Sequence, residues 1–216
     1  MDRNNLVCLE PFSGSGTTAL ELQNCGIACF AFEVNPLMYL IARVKLENGY
    51  ELERFEYWYD YIVKERSKKI VELETEFNTL YQGEGKKKWN YNTDIGIAVE
   101  KLRQVIESIS EVIYKELFKV ALAAILLDVS NLYRNGKCLS YKKKWEDRKI
   151  VEKDVFDKFD EKVLKELKCD IENSITRTKI NNKERLYNQD SRIGIANEVD
   201  AVSYTHLRAH ETDQYL

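Results

Sequence analysis

The first 32 residues restrict the fold more than any other part of the chain. An apolar run typical of a β-strand, residues 6–9, leads into the turn Glu10-Pro-Phe-Ser-Gly-Ser-Gly, and residues 17–25 have the pattern of a short helix. Residues 27–32 form a second strand-like run. A strand, a glycine-rich turn, a helix and another strand make one βαβ unit, and such units build parallel sheets. The sequence therefore predicts an α/β fold.

Residues 50–183 predict a large helical insert. Their composition is charged and poor in glycine, and their apolar side chains recur at helical spacing. Strand-like sequence returns at residues 184–202. The simplest organisation is a cofactor-binding βαβ unit at residues 1–49 whose sheet is interrupted by the insert and then resumed. The expected long helices cover residues 50–80, 95–133 and 155–175, and the expected late strands cover residues 185–187 and 198–202.

Composition argues against several classes of protein. The five cysteines include no Cys-x-x-Cys pair, and both histidines, His206 and His210, lie in the last eleven residues, so we predict no metal centre and no disulfide framework. The longest strongly apolar stretch, residues 120–127, is far shorter than the roughly 20 residues of a membrane-spanning helix. The first residues lack the apolar core of a secretion signal. We therefore expect a cytoplasmic protein without a membrane partner.

The glycine-rich turn predicts a ligand at the carboxyl end of the first strand. Gly14 and Gly16 allow the backbone to approach a ligand closely. A Walker phosphate loop requires lysine after its last glycine, and Thr17 occupies that position, which excludes this class. A dinucleotide loop requires Gly-x-Gly-x-x-Gly/Ala, and Gly14, Gly16 and Ala19 satisfy it. An oxidoreductase that uses NAD or FAD therefore remains an alternative.

Acidic residues after both early strands favour a cationic ligand instead. Glu10 would bring negative charge near a pyrophosphate, whereas S-adenosylmethionine has no phosphate and carries an ammonium and a sulfonium group. Glu33 lies 17 residues after Gly16, near the position of the acid that accepts ribose hydroxyls in nucleotide-binding βαβ units. The sequence thus favours S-adenosylmethionine as the cofactor.

Three segments resemble the cofactor half of amino-group DNA methyltransferases: Glu10-Pro-Phe-Ser-Gly-Ser-Gly-Thr-Thr, Phe32-Glu-Val-Asn-Pro-Leu and Ile41-Ala-Arg-Val-Lys. The resemblance implies a Rossmann-like methyltransferase sheet and methyl transfer from S-adenosylmethionine to the exocyclic amine of adenine or cytosine in double-stranded DNA. It also makes a cognate restriction endonuclease a candidate partner. The cofactor-binding residues that it implies are Glu10, Pro11, Phe12, Gly14, Gly16, Thr17, Glu33, Asn35 and Pro36.

A later segment, Asn188-Gln-Asp-Ser-Arg, resembles the Gly-Asp-Ser-Arg turn of the same family. The acid of that turn contacts the cofactor adenine, and the resemblance assigns this role to Asp190. Gln189 stands where the family has glycine, which changes the backbone freedom of the turn. A surface-loop aspartate is the alternative interpretation.

The catalytic motif of this family is absent from the sequence. It consists of a polar residue, two prolines and an aromatic residue, which together free the lone pair of a flipped base's amine. The chain has two prolines, Pro11 and Pro36, and no Pro-Pro dipeptide. Residues 201–212 instead resemble a translated sequencing adaptor, so we interpret residues 203–216 as an artefactual tail. We expect an inactive N-terminal methyltransferase fragment to which no catalytic residue is assigned.

A basic segment in the insert predicts contacts with DNA. Seven basic residues lie between positions 134 and 149 against Glu146 and Asp147, and an ordinary solvated loop is the alternative. A non-catalytic helical module that binds DNA is the remaining alternative function. The candidate DNA-binding residues are Arg134, Lys137, Lys142, Lys143, Lys144 and Trp145.

Overall fold

A computed structural model of the chain describes residues 6–74, 79–148, 150–174 and 180–193. Contacts divide the chain into two compact units. The first contains the described parts of Met1–Asn48 and Thr176–Leu216, and the second spans Gly49–Ile175. The strands are β1 (Val7–Glu10), β2 (Ala28–Phe32), β3 (Leu132–Asn135), β4 (Cys138–Tyr141) and β5 (Leu186–Tyr187). The helices are α1 (Thr17–Asn24), α2 (Pro36–Leu46), α3 (Leu52–Arg66), α4 (Thr93–Glu107), α5 (Val112–Val129), α6 (Glu152–Lys162) and α7 (Lys168–Ser174).

The first unit is a small parallel sheet with helices, as the α/β prediction required. Its strand order is β1-β2-β5, and both pairings are parallel. Small side chains at the centre let α1 and α2 approach the sheet closely. Residues 198–202, the expected fourth strand, lie outside the described residues. The buried core of the unit consists of Ala19, Cys29, Ala31, Ala42, Leu46 and Leu186.

A buried asparagine ties the late segment to the early one. Asn182 opens a 3₁₀ turn, Asn182–Arg185, and its side chain is completely buried. Its Oδ1 accepts the Cys29 N–H at 2.9 Å, and its Nδ2 donates to the carbonyls of Ala19 and Ile27, each at 3.1 Å. The later segment of the first unit therefore begins before residue 184, the position at which the sequence predicted the return to the sheet.

The second unit is mainly helical, but its helices are shorter than predicted. The helix expected over residues 50–80 ends at Arg66, because the buried stripe of Phe55, Trp58 and Ile62 is not continued and Ile70 is 92% exposed. The pattern over residues 95–133 forms two helices, α4 and α5. The first ends where the Ser108 hydroxyl donates to the Val105 carbonyl at 2.6 Å.

The insert is mainly helical, but its basic segment, which was expected to form a loop, contains two strands. Strands β3 and β4 form an antiparallel hairpin across residues 132–141. Its two central turn residues are Gly136 and Lys137, and Gly136 has φ +60°. This is the place and sign of φ that a type II′ hairpin turn gives to glycine.

The helices of the second unit pack around aromatic rings. Phe55 of α3 stacks on Phe118 of α5 with ring centroids 5.6 Å apart, and Phe118 also contacts Phe159 of α6. The predicted helix over residues 155–175 is confirmed in its described part: α6 continues through the π-helical turn Val163–Leu167 into α7. No helix among the described residues is both long and apolar enough to cross a membrane.

Candidate functional site

A cleft of about 410 Å³ opens at the carboxyl edge of the parallel sheet. It lies where β1 and β2 end and where the chain leaves β5. In open α/β sheets this edge is where ligands bind. Four of the predicted cofactor residues line the cleft: Pro11, Phe12, Glu33 and Asp190. The remaining lining residues are Phe32, Val34, Ser191 and Arg192.

The glycine turn is held against the end of β2 by backbone hydrogen bonds. The Ser13 N–H donates to the Phe32 carbonyl at 2.8 Å, and the Gly16 N–H donates to the Ser13 carbonyl at 2.9 Å. Both glycines are in the left-handed region, Gly14 at φ +53° and Gly16 at φ +77°. A Cβ on Gly16 would lie 2.8 Å from the Ala42 Cβ, whereas one on Gly14 would have no neighbour within 4 Å. Gly16 therefore sets the approach of α2 to the turn, and Gly14 serves the turn conformation alone.

The two acids that follow β1 and β2 each bond to the backbone two residues later. Glu10 Oε1 accepts the Phe12 N–H at 3.2 Å, and Glu33 Oε1 accepts the Asn35 N–H at 2.7 Å. Among the described residues, the second oxygen of Glu33 has no hydrogen bond. These contacts fix both carboxylates at the edge of the sheet while an acceptor remains available.

Asn35 and Pro36 begin α2. The Asn35 Oδ1 accepts the N–H groups of Leu37 and Met38 at 2.9 and 3.2 Å, and Pro36 occupies the first helical position. Thr17 begins α1, directly after the turn. Asn35 and Pro36 thus have a clear role in starting α2, whereas Thr17 is the first residue of α1 and makes no capping contact. None of these three predicted cofactor residues lines the cleft.

The turn after β5 is bonded to the end of β2. Glu33 donates its N–H to the Tyr187 carbonyl at 3.0 Å, and the Asn188 side chain donates to the Glu33 carbonyl at 2.7 Å. Asn188 therefore holds Glu33 beside this turn, a role that the family resemblance does not assign to it. The glutamine at position 189 does not prevent that contact.

Asp190 is paired with Arg192. The Arg192 Nε lies 3.0 Å from both Asp190 carboxylate oxygens, and the Arg192 N–H donates to Oδ1 at 2.9 Å. These hydrogen bonds lower the pKa of Asp190 to about 2. The carboxylate is therefore ionised at neutral pH and can accept a hydrogen bond from a ligand amine.

Sequence reasoning missed Ser13. This residue is 8% exposed, and its hydroxyl is buried without a hydrogen-bond partner among the described residues. Its neighbour Ser15 differs, because Lys45 of α2 donates to the Ser15 Oγ at 3.2 Å. A buried hydroxyl without a partner is costly, so its presence in the glycine-rich turn is informative. The sequence feature that could have identified Ser13 is its position in the glycine-rich turn, between Phe12 and Gly14.

The basic segment of the second unit divides into structural and exposed residues. Lys142 Nζ donates to the carbonyls of Asp128 and Ser130 at 3.0 and 2.8 Å, and so caps the end of α5. Trp145 is 7% exposed and packs edge-on against Trp89, with centroids 4.9 Å apart. Both residues were predicted to contact DNA, but these contacts occupy them inside the unit. Arg134, Lys137, Lys143 and Lys144 are exposed, and Lys149 lies outside the described residues.

Comparison of the chain with protein-family models, with curated proteins and with solved structures finds no match. The function is therefore inferred from the geometry of each unit. The described residues contain no cluster of three or more histidine, cysteine, aspartate or glutamate side chains that could hold a metal ion. His206 and His210 lie outside the described part of the chain.

Proposed function

We propose that the first unit binds S-adenosylmethionine and belongs to an enzyme that methylates exocyclic amines of DNA bases. One observation carries the proposal: Pro11 and Phe12 of the turn after Glu10 line one cleft at the carboxyl edge together with the acidic residues Glu33 and Asp190. The parallel order β1-β2-β5 corresponds to one half of a doubly wound sheet, in which the first three strands lie in the order 3-2-1. A Rossmann-like methyltransferase sheet is the simplest fold with these features.

The charges around the cleft favour this cofactor over a dinucleotide. Glu33 and Asp190 line the cleft, and Glu10 lies at the start of the turn. The cationic group that lines the cleft, Arg192, is paired with Asp190. A pyrophosphate would meet net negative charge, whereas an ammonium or sulfonium group would be attracted. The cleft is also within the size range of small-molecule sites, about 300–1,000 Å³.

Different residues would contact different parts of the cofactor. Glu33 would accept hydrogen bonds from ribose hydroxyls through its available oxygen, and ionised Asp190 would accept the adenine amine. Phe12 and Val34, which are 64% and 65% exposed, would cover the apolar faces of the ligand. Ser13 does not line the cleft but directly follows Phe12, which does; its buried hydroxyl would gain the partner it lacks from the cofactor's polar end.

S-adenosylmethionine would supply an electrophilic methyl group, and this chain's residues would hold it in place. Activation of the base amine is a separate task, which needs a polar acceptor and an aromatic stacking surface. No Pro-Pro dipeptide occurs in the 216 residues, and we assign no catalytic residue. The proposal is therefore tested by ligand binding rather than by turnover.

The decisive experiment measures binding of S-adenosylmethionine and S-adenosylhomocysteine by calorimetry. Glu33→Ala removes a charged acceptor worth roughly 1.5–3 kcal/mol, so Kd should rise about tenfold or more. Glu21→Ala, which removes the same charge from an exposed site on α1, should leave Kd unchanged. Glu33→Gln keeps an acceptor for the Asn35 N–H and separates loss of charge from loss of structure.

Three results would refute the proposal. The unmodified chain could bind neither compound, Glu33→Ala could bind them as tightly as the Glu21→Ala control does, or NAD could bind in their place. The last result would identify the oxidoreductase alternative, because Gly14, Gly16 and Ala19 also satisfy the dinucleotide pattern.

A further inference from the structure

The β3–β4 hairpin is exposed on both of its faces. In an antiparallel ribbon, neighbouring residues along a strand point to opposite faces, and a hairpin that packs on a protein buries one of them. Here every residue from 133 to 139 is exposed, including Tyr133 at 43% and Leu139 at 58%. The outer part of the hairpin therefore projects from the helical unit into solvent.

The base of the hairpin is anchored in the core of the second unit. Leu132 and Tyr141 pair at the base, and Leu132 is buried. The Tyr141 ring packs on buried Trp145 with centroids 5.1 Å apart. The residue after β4, Lys142, is bonded to carbonyls at the end of α5. Because an isolated two-stranded hairpin is marginally stable, this base is what holds the exposed end in a defined position.

The exposed end carries positive charge with no acid beside it in the sequence. Between Val129 and Trp145 there are five basic residues and no aspartate or glutamate. Arg134 and Lys137 lie on the projecting part, and Lys143 and Lys144 are exposed directly after it. The nearest exposed acids in sequence are Asp128, Glu146 and Asp147, which flank this stretch. Such a surface suits the phosphate backbone of a nucleic acid.

The shape and composition of the hairpin favour duplex over single-stranded nucleic acid. Single strands are bound by stacking successive bases on several aromatic side chains, whereas this segment exposes the single ring of Tyr133 and buries Trp145. A two-stranded β-ribbon, in contrast, fits the major groove of B-form DNA, where Arg and Asn side chains bond to base edges. Arg134 and Asn135 are both exposed on the projecting part.

We infer that the β3–β4 hairpin enters the major groove of double-stranded DNA, with Arg134 and Lys137 as its contacts and Lys142 and Trp145 as its support. The inference rests on the proposed function for its choice of DNA, but its contacts belong to the second unit alone. It moves the DNA-contacting role from the whole basic segment to the end of one hairpin.

The test uses the purified 216-residue chain and a fluorescent mixed-sequence duplex, with anisotropy measured over a range of salt concentrations. Arg134→Ala combined with Lys137→Ala should weaken binding about tenfold or more. The slope of log Kd against log salt should fall by about 0.9 for the phosphate contact of Lys137, and by up to about 1.8 where Arg134 also neutralises a phosphate. The control, Lys64→Ala combined with Lys165→Ala, removes the same charge from exposed positions on α3 and after α6 and should change neither quantity.

Several outcomes would overturn the inference: no duplex binding by the unmodified chain, equal losses in the hairpin and control variants, or tighter binding of a single strand than of the duplex. Calorimetry with S-adenosylhomocysteine on the same samples separates the two proposals. Retained cofactor binding with no effect of the hairpin variant refutes the hairpin alone. Hairpin-dependent duplex binding without cofactor binding refutes the proposed function alone.

Discussion

Replacing Asn182 with alanine tests whether the buried network of the first unit holds the late segment in place. The change removes three hydrogen bonds and leaves three backbone groups without a side-chain partner: the Cys29 N–H and the carbonyls of Ala19 and Ile27. The Ala19 carbonyl keeps its hydrogen bond within α1, so the groups that lose their partner are the Cys29 N–H and the Ile27 carbonyl. Each buried group left unsatisfied costs about 1–3 kcal/mol, so even the low end predicts a loss of about 2 kcal/mol. The neighbouring change Asn181→Ala removes a local contact to the Lys183 N–H at 3.2 Å and should cost less than about 1 kcal/mol.

Hydrogen exchange measured by mass spectrometry is the appropriate assay, because two compact units need not unfold together. In Asn182→Ala, protection of the Cys29 amide should fall by about 30-fold, which corresponds to roughly 2 kcal/mol. Peptides from α5 in the second unit serve as an internal reference and should keep their exchange rates. If Asn182→Ala slows or accelerates exchange at Cys29 no more than Asn181→Ala does, the network is not what secures this segment.

Two further paired substitutions test the glycine turn. Gly16→Ala should destabilise the first unit by more than Gly14→Ala does. Both changes replace a glycine in the left-handed region, at a cost of about 1–2 kcal/mol, but Gly16→Ala also adds a 2.8 Å contact with Ala42. Thermal midpoints of the two variants check this, and equal midpoints would contradict it. Ser13→Ala should weaken S-adenosylhomocysteine binding about fivefold to tenfold without lowering the thermal midpoint. The control Ser15→Ala should leave the affinity unchanged. A lower midpoint with unchanged affinity for Ser13→Ala would show a structural role instead.

The early βαβ unit was predictable because its signals are local. The glycines of the turn, Gly14 and Gly16, are visible in the sequence and adopt positive φ in the structure. An asparagine followed by proline marks the start of α2. Short apolar runs marked β1 and β2 to within one residue at each end. These features depend on backbone conformation and on capping, which a few consecutive residues determine.

The β3–β4 hairpin was not predicted, because its stabilising contacts come from distant residues. Seven of its residues are exposed, so the strands have no alternation of apolar and polar side chains to read. Its base depends on Lys142 reaching the end of α5 and on Trp145 packing against Trp89. A lysine that caps a helix and a lysine that contacts phosphate look the same in sequence, and only the partner distinguishes them.

Buried polar groups in the first unit include side chains that have hydrogen-bond partners and a side chain that lacks one among the described residues. The Asn182 side chain has a partner at both of its polar atoms, so its bonds contribute to the folded state whether or not a ligand is bound. The Ser13 hydroxyl is buried without one, which costs free energy in the unliganded protein. A ligand that supplies the missing partner recovers that cost on binding. Ser13 thus leaves an unsatisfied hydroxyl within the turn that follows Glu10, and Pro11 and Phe12 of the same turn line the cleft together with Glu33 and Asp190.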